Sequence, residues 1–440
     1  MNRLLMYIII VVVPVYSSLA SAQHSVLVNL SGVDKARLVL PQDLVYEGAF
    51  RFPSGGENSR WSYGASGFTF YPNGDSTGPN DGYPGSLYGI GHDHHQLVAE
   101  ISIPKPVTSL GKNAAELNVA TFLQDFADIT GGLRSQIGVD KVGGLSYLPK
   151  MGAQATGKIY WTIYEYYNAN GVDYLSHGWS ELNLSKVQAK GVWHVGPKNN
   201  SEFHSMRSAD YIFEIPASWA DIHVGNKYLA SGRHREAGAF GSSEGPALFA
   251  FGPYNDGNPP GNGAVLDAVP LIWYPKGGGY YPDYSECDRW GGGAWLTAGE
   301  KSAVVFVGSK ALGDTYYGDG RSFDCSNAKG YHCTPYEPQI IFYDPEDLTS
   351  VANGGKKPYQ VVPYAIFRPA GFMWDQCRVD LGGAAFDRAR GLLYVFQKSA
   401  ERVTNSYESY PLAHVFKITG SGSPVDTTPP SPPTKLELQP

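Results

Sequence analysis

Side chains that move protons or hold anions gather in four short segments of this 440-residue chain. They are His92-Asp93-His94-His95, Tyr164-Glu165-Tyr166-Tyr167 with His177 beyond it, Phe203-His204-Ser205-Met206-Arg207, and Arg233-His234-Arg235-Glu236. Imidazole titrates near neutral pH and suits a general base. A tyrosine phenol can deliver a proton to a departing oxygen. Arginine grips carboxylate or sulfate through paired, charge-assisted hydrogen bonds. Together these types fit β-elimination beside a carboxylate, as on a uronic-acid polymer. The carboxylate is stabilised as charge spreads onto it, a base removes the C5 proton, and an acid protonates the C4 oxygen. On this reading His92, His94 and Tyr164 are the acid–base groups, and His177, His204, Arg207, Arg233 and Arg235 hold the substrate. The scheme calls for no metal and no cofactor.

For such distant segments to meet, the chain must fold back on itself repeatedly, and its pattern says how. Five times a small residue leads a short apolar strand: Gly67-Phe-Thr-Phe-Tyr71, Gly144-Leu-Ser-Tyr-Leu148, Ala209-Asp-Tyr-Ile-Phe-Glu-Ile215, Gly293-Ala-Trp-Leu296 and Gly383-Ala-Ala-Phe386. Each is followed by a Tyr-rich or β-branched second strand, a polar turn and a third strand. The alternation of apolar and polar residues is the period of a half-buried strand. Small sheets repeated along a chain bury both faces by packing radially, so the expected fold is all-β, a β-propeller of five to seven blades. The last repeat lacks a fourth strand, and Tyr46-Glu-Gly-Ala-Phe-Arg-Phe52 is placed to supply it and close the ring. The turns after the second strands, which carry the histidines and arginines, then open on one face; Lys310 and Lys398 stand there in the last two repeats. The first strands start 77, 65, 84 and 90 residues apart. A plain blade needs about 40 to 50 residues, so long loops or hidden blades are expected. Helices are expected at 345–354, after Asp344 as N-cap, and more weakly at 216–224 and 114–126. The competing architecture is a two-sheet sandwich.

Composition agrees with a β fold. Fifty-three Gly and 31 Pro are too many for a helical bundle, and a net charge of −7 lacks the basic excess of a nucleic-acid binder. Arg3, the apolar run 4–16 and Ala20-Ser21-Ala22 read as a signal peptide over 1–22, which implies a secreted or periplasmic protein with no membrane span after cleavage. The propeller domain is expected over 23–420. The proline-rich segment 421–440 reads as a linker toward a further C-terminal module. A monomer is expected. Outside the cytoplasm the four cysteines favour two disulfides, Cys325–Cys333 and Cys287–Cys377 as first choice, with zinc at Cys325, His332 and Cys333 as the alternative. Segments 73–81 and 283–288 are candidates for structural calcium, although neither follows a known calcium loop.

Leu87-Tyr-Gly-Ile-Gly-His-Asp-His94 with Val98-Ala-Glu-Ile-Ser-Ile-Pro104, and Trp295-Leu-Thr-Ala-Gly299 with the strand at 304–308, resemble secreted β-propeller polysaccharide lyases, the ulvan lyases and related rhamnose–glucuronate lyases among them. The resemblance implies seven blades, an acidic polysaccharide substrate with or without sulfate, and two histidines, a tyrosine and an arginine at the channel mouth. It maps onto His92 or His94 and onto Tyr164. No histidine lies between His95 and His177, and no arginine closely follows Tyr164, so His177 and Arg207 or Arg233 would have to serve. Two other readings stand beside it. One is a glycoside hydrolase using paired carboxylates drawn from Asp93, Glu165 and Glu236. The other is a non-catalytic carbohydrate-binding propeller that stacks sugars on Trp161, Trp179, Trp290 and Trp295. Gly241-Ser-Ser-Glu-Gly245 matches a nucleophile elbow in letters, but that elbow needs an α/β sheet.

Overall fold

The computed structural model describes residues 25–27, 35–151, 154–168, 170, 172–198, 200, 203, 209–232, 243–253, 260–374 and 379–420. Residues 1–22, read above as a signal peptide, residues 421–440, read as a linker, His204, Arg207, Arg233, Arg235, Glu236 and Cys377 lie outside these residues, as do Gly241 and Ser242 of the 241–245 string.

Five small sheets stand in a ring, antiparallel throughout except where Val265–Leu266 pairs parallel with Ala189–Val195 at the edge of the second. Their innermost strands are Phe68–Tyr71, Lys141–Leu148, Ala209–Glu214, Arg289–Ala298 and Leu381–Asp387, and each touches the next around a closed circle. These are the five strands that the small-residue pattern marks. The arrangement is that of a five-bladed β-propeller; the seven blades implied by the resemblance are not met. The long repeat steps come from insertions. A hairpin of Tyr316–Gly318 and Gly330–His332 extends the fourth blade's upper turn, and the helix Pro345–Ala352 joins its third and fourth strands.

The strands are apolar on both faces because each blade lies between two others. In the second strand of blade four, Val304 and Phe306 enter the core shared with blade three, while Ala303, Val305 and Val307 enter the core shared with blade five. Blade five repeats the device: Leu393 and Val395 face blade four, and Leu392, Tyr394 and Phe396 face blade one. One strand thus feeds two cores through its two-residue period.

Closing five strands around one axis brings their backbones together, which is what the leading glycines permit. A Cβ on Gly144 would lie 2.5 Å from the Ile212 nitrogen, and one on Gly67 would lie 2.2 Å from the Gly143 oxygen. At this waist the channel holds no space for a water molecule. The axis therefore has two separate ends. At one the inner strands begin and the histidine-bearing turn of blade one opens; at the other they finish.

The ring closes as the pattern predicts. Leu44–Arg51 pairs antiparallel with Tyr410–Ile418 as the outer strand of blade five, Leu44 opposite Ile418 and Arg51 opposite Leu412. A strand without a sequence signal, Ser25–Leu27, adds itself to the edge of blade four beside Ala365–Phe367. The helix Pro345–Ala352 forms as expected, with the Asp344 side chain accepting from the Glu346 backbone N–H at 2.9 Å, and Ala217–His223 is helical. The expected helix at 114–126 is not. Only Ala114–Glu116 turns, as a 3-10 helix, and Phe122–Ala127 is the outer strand of blade one. No helix among the described residues is long and apolar enough to cross a membrane.

The first-choice cysteine pairing is also overturned. Cys287 bonds Cys333, with Cα atoms 6.1 Å apart, and Cys325 is disulfide-bonded as well. Sulfurs held in this way are not the thiolates a zinc site needs. Among the described residues no group of three or more His, Cys, Asp or Glu is placed to hold a metal ion. In the segments considered for calcium, Asp75 accepts from Thr77 and Asp288 is buried against Lys310 at 3.0 Å.

Candidate functional site

The turn that links the second and third strands of blade one is a single tight loop. His95 and Gln96 both donate their backbone N–H to the His92 carbonyl, at 2.9 and 3.0 Å, and Gln96 takes a positive φ of 57°. The buried Gln96 side chain accepts from the Val142 backbone N–H at 2.7 Å, which pins the loop to blade two. The compactness of the loop brings three imidazoles together: the His92 ring stacks on His95 at 4.6 Å and lies 5.5 Å from His94.

His92 is buried, while His94 and His95 are exposed. The His92 Nδ1 accepts the backbone N–H of His94 at 3.1 Å, so in the neutral ring the proton sits on Nε2. Burial, followed by the neighbouring Arg60, His95 and His94, holds its pKa below the ordinary histidine value. His92 is thus a neutral N–H donor near pH 7. His95 is fixed differently, its Nδ1 paired with the Ser59 hydroxyl at 2.8 Å. The exposed ring of His94 has no hydrogen-bond partner among the described residues.

Blades five and two complete the cluster. Arg60, just ahead of the first inner strand, accepts the His92 backbone N–H on its carbonyl oxygen at 2.8 Å, and its side chain binds Glu408 with two prongs at 2.6 Å. Glu408 belongs to the turn of blade five that corresponds to the histidine turn of blade one. Arg60 and then Ser62, by hydrogen bonding, pull its carboxyl down to about 2. Tyr63, half exposed and at a φ of 57°, sets its ring edge-on to His92 at 5.7 Å. On the other flank Lys141 binds Asp93 at 2.9 Å and lies directly across the strand pair from Tyr164, and Asp140 accepts the Tyr166 N–H at 2.7 Å. His92, His94 and Tyr164 therefore lie around one end of the ring.

His177 does not join them. It is fully buried, with Nδ1 on the Ser176 hydroxyl at 2.8 Å and Nε2 on the Ser231 hydroxyl at 2.9 Å, and it packs against Phe251. Burial lowers its pKa to about 3, so it stays neutral and ties blade two to blade three. It serves the core and not a substrate. Lys310 is likewise engaged internally by Asp288. The expected binding residues His204, Arg207, Arg233 and Arg235 lie outside the described residues.

Arg60, Ser62, Tyr63, Lys141 and Glu408 are missing from the sequence reading. A signal existed for Arg60 and Tyr63: they immediately precede a first strand, the same position that drew attention to Phe203-His204-Ser205-Met206-Arg207. Glu408 carries no such mark, since only ring closure brings blade five beside blade one.

No family model and no curated protein matches the chain. Among solved structures, the chain is similar to a protein of unknown function from Dyadobacter fermentans DSM 18053, at 8% identity over 86% of this chain and 99% of that one, with a TM-score of 0.36. A likeness of that degree carries no argument about fold or function.

Proposed function

We propose that the chain is a secreted lyase that cleaves a uronate-bearing polysaccharide by β-elimination at the histidine end of the ring. The observation that carries the reading is the contrast between His92 and His94. One imidazole is buried, neutral and N–H-donating; the other is exposed, with rings 5.5 Å apart. His94 takes the C5 proton, the C4–oxygen bond breaks as the C4–C5 double bond forms, and a tyrosine protonates the departing oxygen. His92 donates to the substrate carboxylate as charge develops there. Tyr63, edge-on to His92, is the first candidate for the acid, and Tyr164 beyond Lys141 is the second. The Cys287–Cys333 bond supports export to an oxidising compartment.

A non-catalytic carbohydrate binder is the second reading. Its support is that Arg60 and Lys141 are already paired with Glu408 and Asp93, which leaves the cluster close to balanced in charge. One assay separates the two. The purified protein is incubated with a panel of uronate polysaccharides while the ultraviolet absorbance of the unsaturated product is followed. A rise that disappears in His94→Ala supports the lyase. Retention of polysaccharide without cleavage supports the binder, and new reducing ends without the absorbance overturn both in favour of hydrolysis.

A further inference from the structure

Beyond the glycine waist, at the end away from the histidines, the final halves of the five inner strands open into a cavity of about 230 Å³. All five blades line it. Phe68, Phe70, Tyr147, Phe213, Trp295 and Phe386 form aromatic walls. The waist closes its floor, so it is a blind pocket and not a passage.

Two charged groups face each other in this lining, Glu214 from blade three and Arg388 from the turn after the inner strand of blade five, 3.6 Å apart. Arg388 is held firmly in place. Its Nη1 donates to the Trp295 carbonyl and the Thr297 hydroxyl, both at 3.2 Å, and its Nη2 to the Glu214 carbonyl at 3.4 Å. Its Nε, however, is buried with no hydrogen-bond partner among the described residues. Burial raises the Glu214 carboxyl above its ordinary value while Arg388 draws it back. The other carboxylate in the lining, Asp387, is buried and already bound to Arg390 at 3.1 Å.

This chemistry selects its ligand. Paired opposite charges leave no net charge to attract an ion. Aromatic walls favour a flat apolar face. A carboxylate that accepts beside a guanidinium that donates is matched by adjacent hydroxyls, each of which can do both. A pyranose ring offers a C–H face and adjacent hydroxyls in one molecule. The cavity is smaller than the roughly 300–1,000 Å³ of sites for drug-sized ligands, which suits a single ring.

We propose that this pocket binds one neutral pyranose unit, at a site separate from the histidine end. The sugar hydroxyls then pair with the part-exposed Glu214 carboxylate and Arg388 guanidinium, and the aromatic walls cover the ring.

The test is calorimetric titration of the full chain with methyl β-D-glucopyranoside and methyl α-D-mannopyranoside as neutral probes, and with tetramethylammonium and benzoate as charged probes of similar size. Saturable binding of a neutral probe in preference to both ions is expected. Glu214→Gln, confirmed as folded by circular dichroism and a cooperative melt, should weaken it about tenfold or more through loss of a charged hydrogen bond. The same variant should leave turnover at the histidine end unchanged. Ala385→Leu, which fills the cavity from its wall, should abolish binding. The proposal is overturned by absence of saturable binding to the wild-type protein, by tighter binding of either ion, or by unchanged affinity in a folded variant of either kind. The wild-type arms decide the matter even if a variant fails to fold.

Discussion

Arg60 and Glu408, 348 residues apart in sequence, meet in a two-pronged ion pair with both contacts at 2.6 Å. The pair bridges the seam of the ring. Arg60 leads into blade one, Glu408 sits on the turn of blade five, and the closing strand Leu44–Arg51 runs in the blade that carries Glu408. Ser62 adds a third hydrogen bond to the same carboxylate at 2.8 Å. Because Arg60 also accepts the His92 backbone N–H, ring closure and the position of the buried histidine are mechanically linked.

The Glu408 carboxyl falls from an ordinary 4.5 to about 2 in the folded protein. A depressed acid stabilises the fold above its unfolded value and loses that contribution as pH falls through its folded value. The stability difference between wild type and Glu408→Gln should therefore be constant above pH 4.5 and close progressively toward pH 2. Partial exposure keeps it to about 1 kcal/mol or less. Urea unfolding across that pH range measures it, and a difference that widens on acidification would contradict the pairing.

His94→Ala should lower turnover by about a hundredfold or more, the usual scale for a lost general base. Of the two tyrosines, Tyr63→Phe should cost more activity than Tyr164→Phe, because Tyr63 alone packs on the His92 ring. Steady-state rates on the best substrate of the panel decide this. A larger loss in Tyr164→Phe would return the acid role to that residue.

The His92 ring itself reports on this cluster. Arg60 helps to depress its pKa, while Glu408 opposes that effect. Removal of the cation in Arg60→Ala leaves Glu408 unopposed, so the His92 titration followed by NMR should move to higher pH. A titration that stays in place or moves down would contradict the role given to Arg60.

His177 and His414 are both buried, and each has its pKa lowered to about 3. The unfolded chain takes up protons near pH 6.5 that the folded protein refuses, so these residues contribute stability above pH 6.5 that is lost as pH falls toward 3. Acid lability in that interval should lessen in a folded His177→Gln variant. At pH 7 the same variant should lose about 1–3 kcal/mol through disrupted hydrogen bonds to Ser176 and Ser231, with polysaccharide affinity unchanged. Denaturant melts and a binding isotherm test both parts.

Gly144→Ala should destabilise by at least about 1–3 kcal/mol, since the new methyl group meets the blade-three backbone at 2.5 Å. Gly111→Ala is the control. Its Cβ has open space within 4 Å and its backbone needs no positive φ, so it should be neutral or slightly stabilising. Thermal melts compare the two; equal effects would refute the tight waist.

Much of the ring is readable from sequence for a simple reason. A strand buried between two blades shows its period of two, and a backbone forced against its neighbour shows a glycine. The 114–126 stretch misleads because Ala120, Leu123 and Gln124 are ordinary helix residues and only hydrogen bonding to Val98–Ser102 makes 122–127 a strand. His177 misleads for a related reason. Its proximity to the tyrosine turn looks like a site, whereas its position in a buried strand assigns it to the core.

By itself the amino-acid sequence determined the all-β character, the five leading strands and the N-terminal strand that shuts the ring, because local alternation and chain order are enough to specify each of them. The tertiary structure alone decided that five blades complete the circle, that Cys287 meets Cys333, that Arg60 and Glu408 brace the histidine turn, and that Glu214 faces Arg388 in a blind pocket. Those contacts join residues from different blades, and their distances depend on how many sheets share the axis and how closely the glycines let them approach.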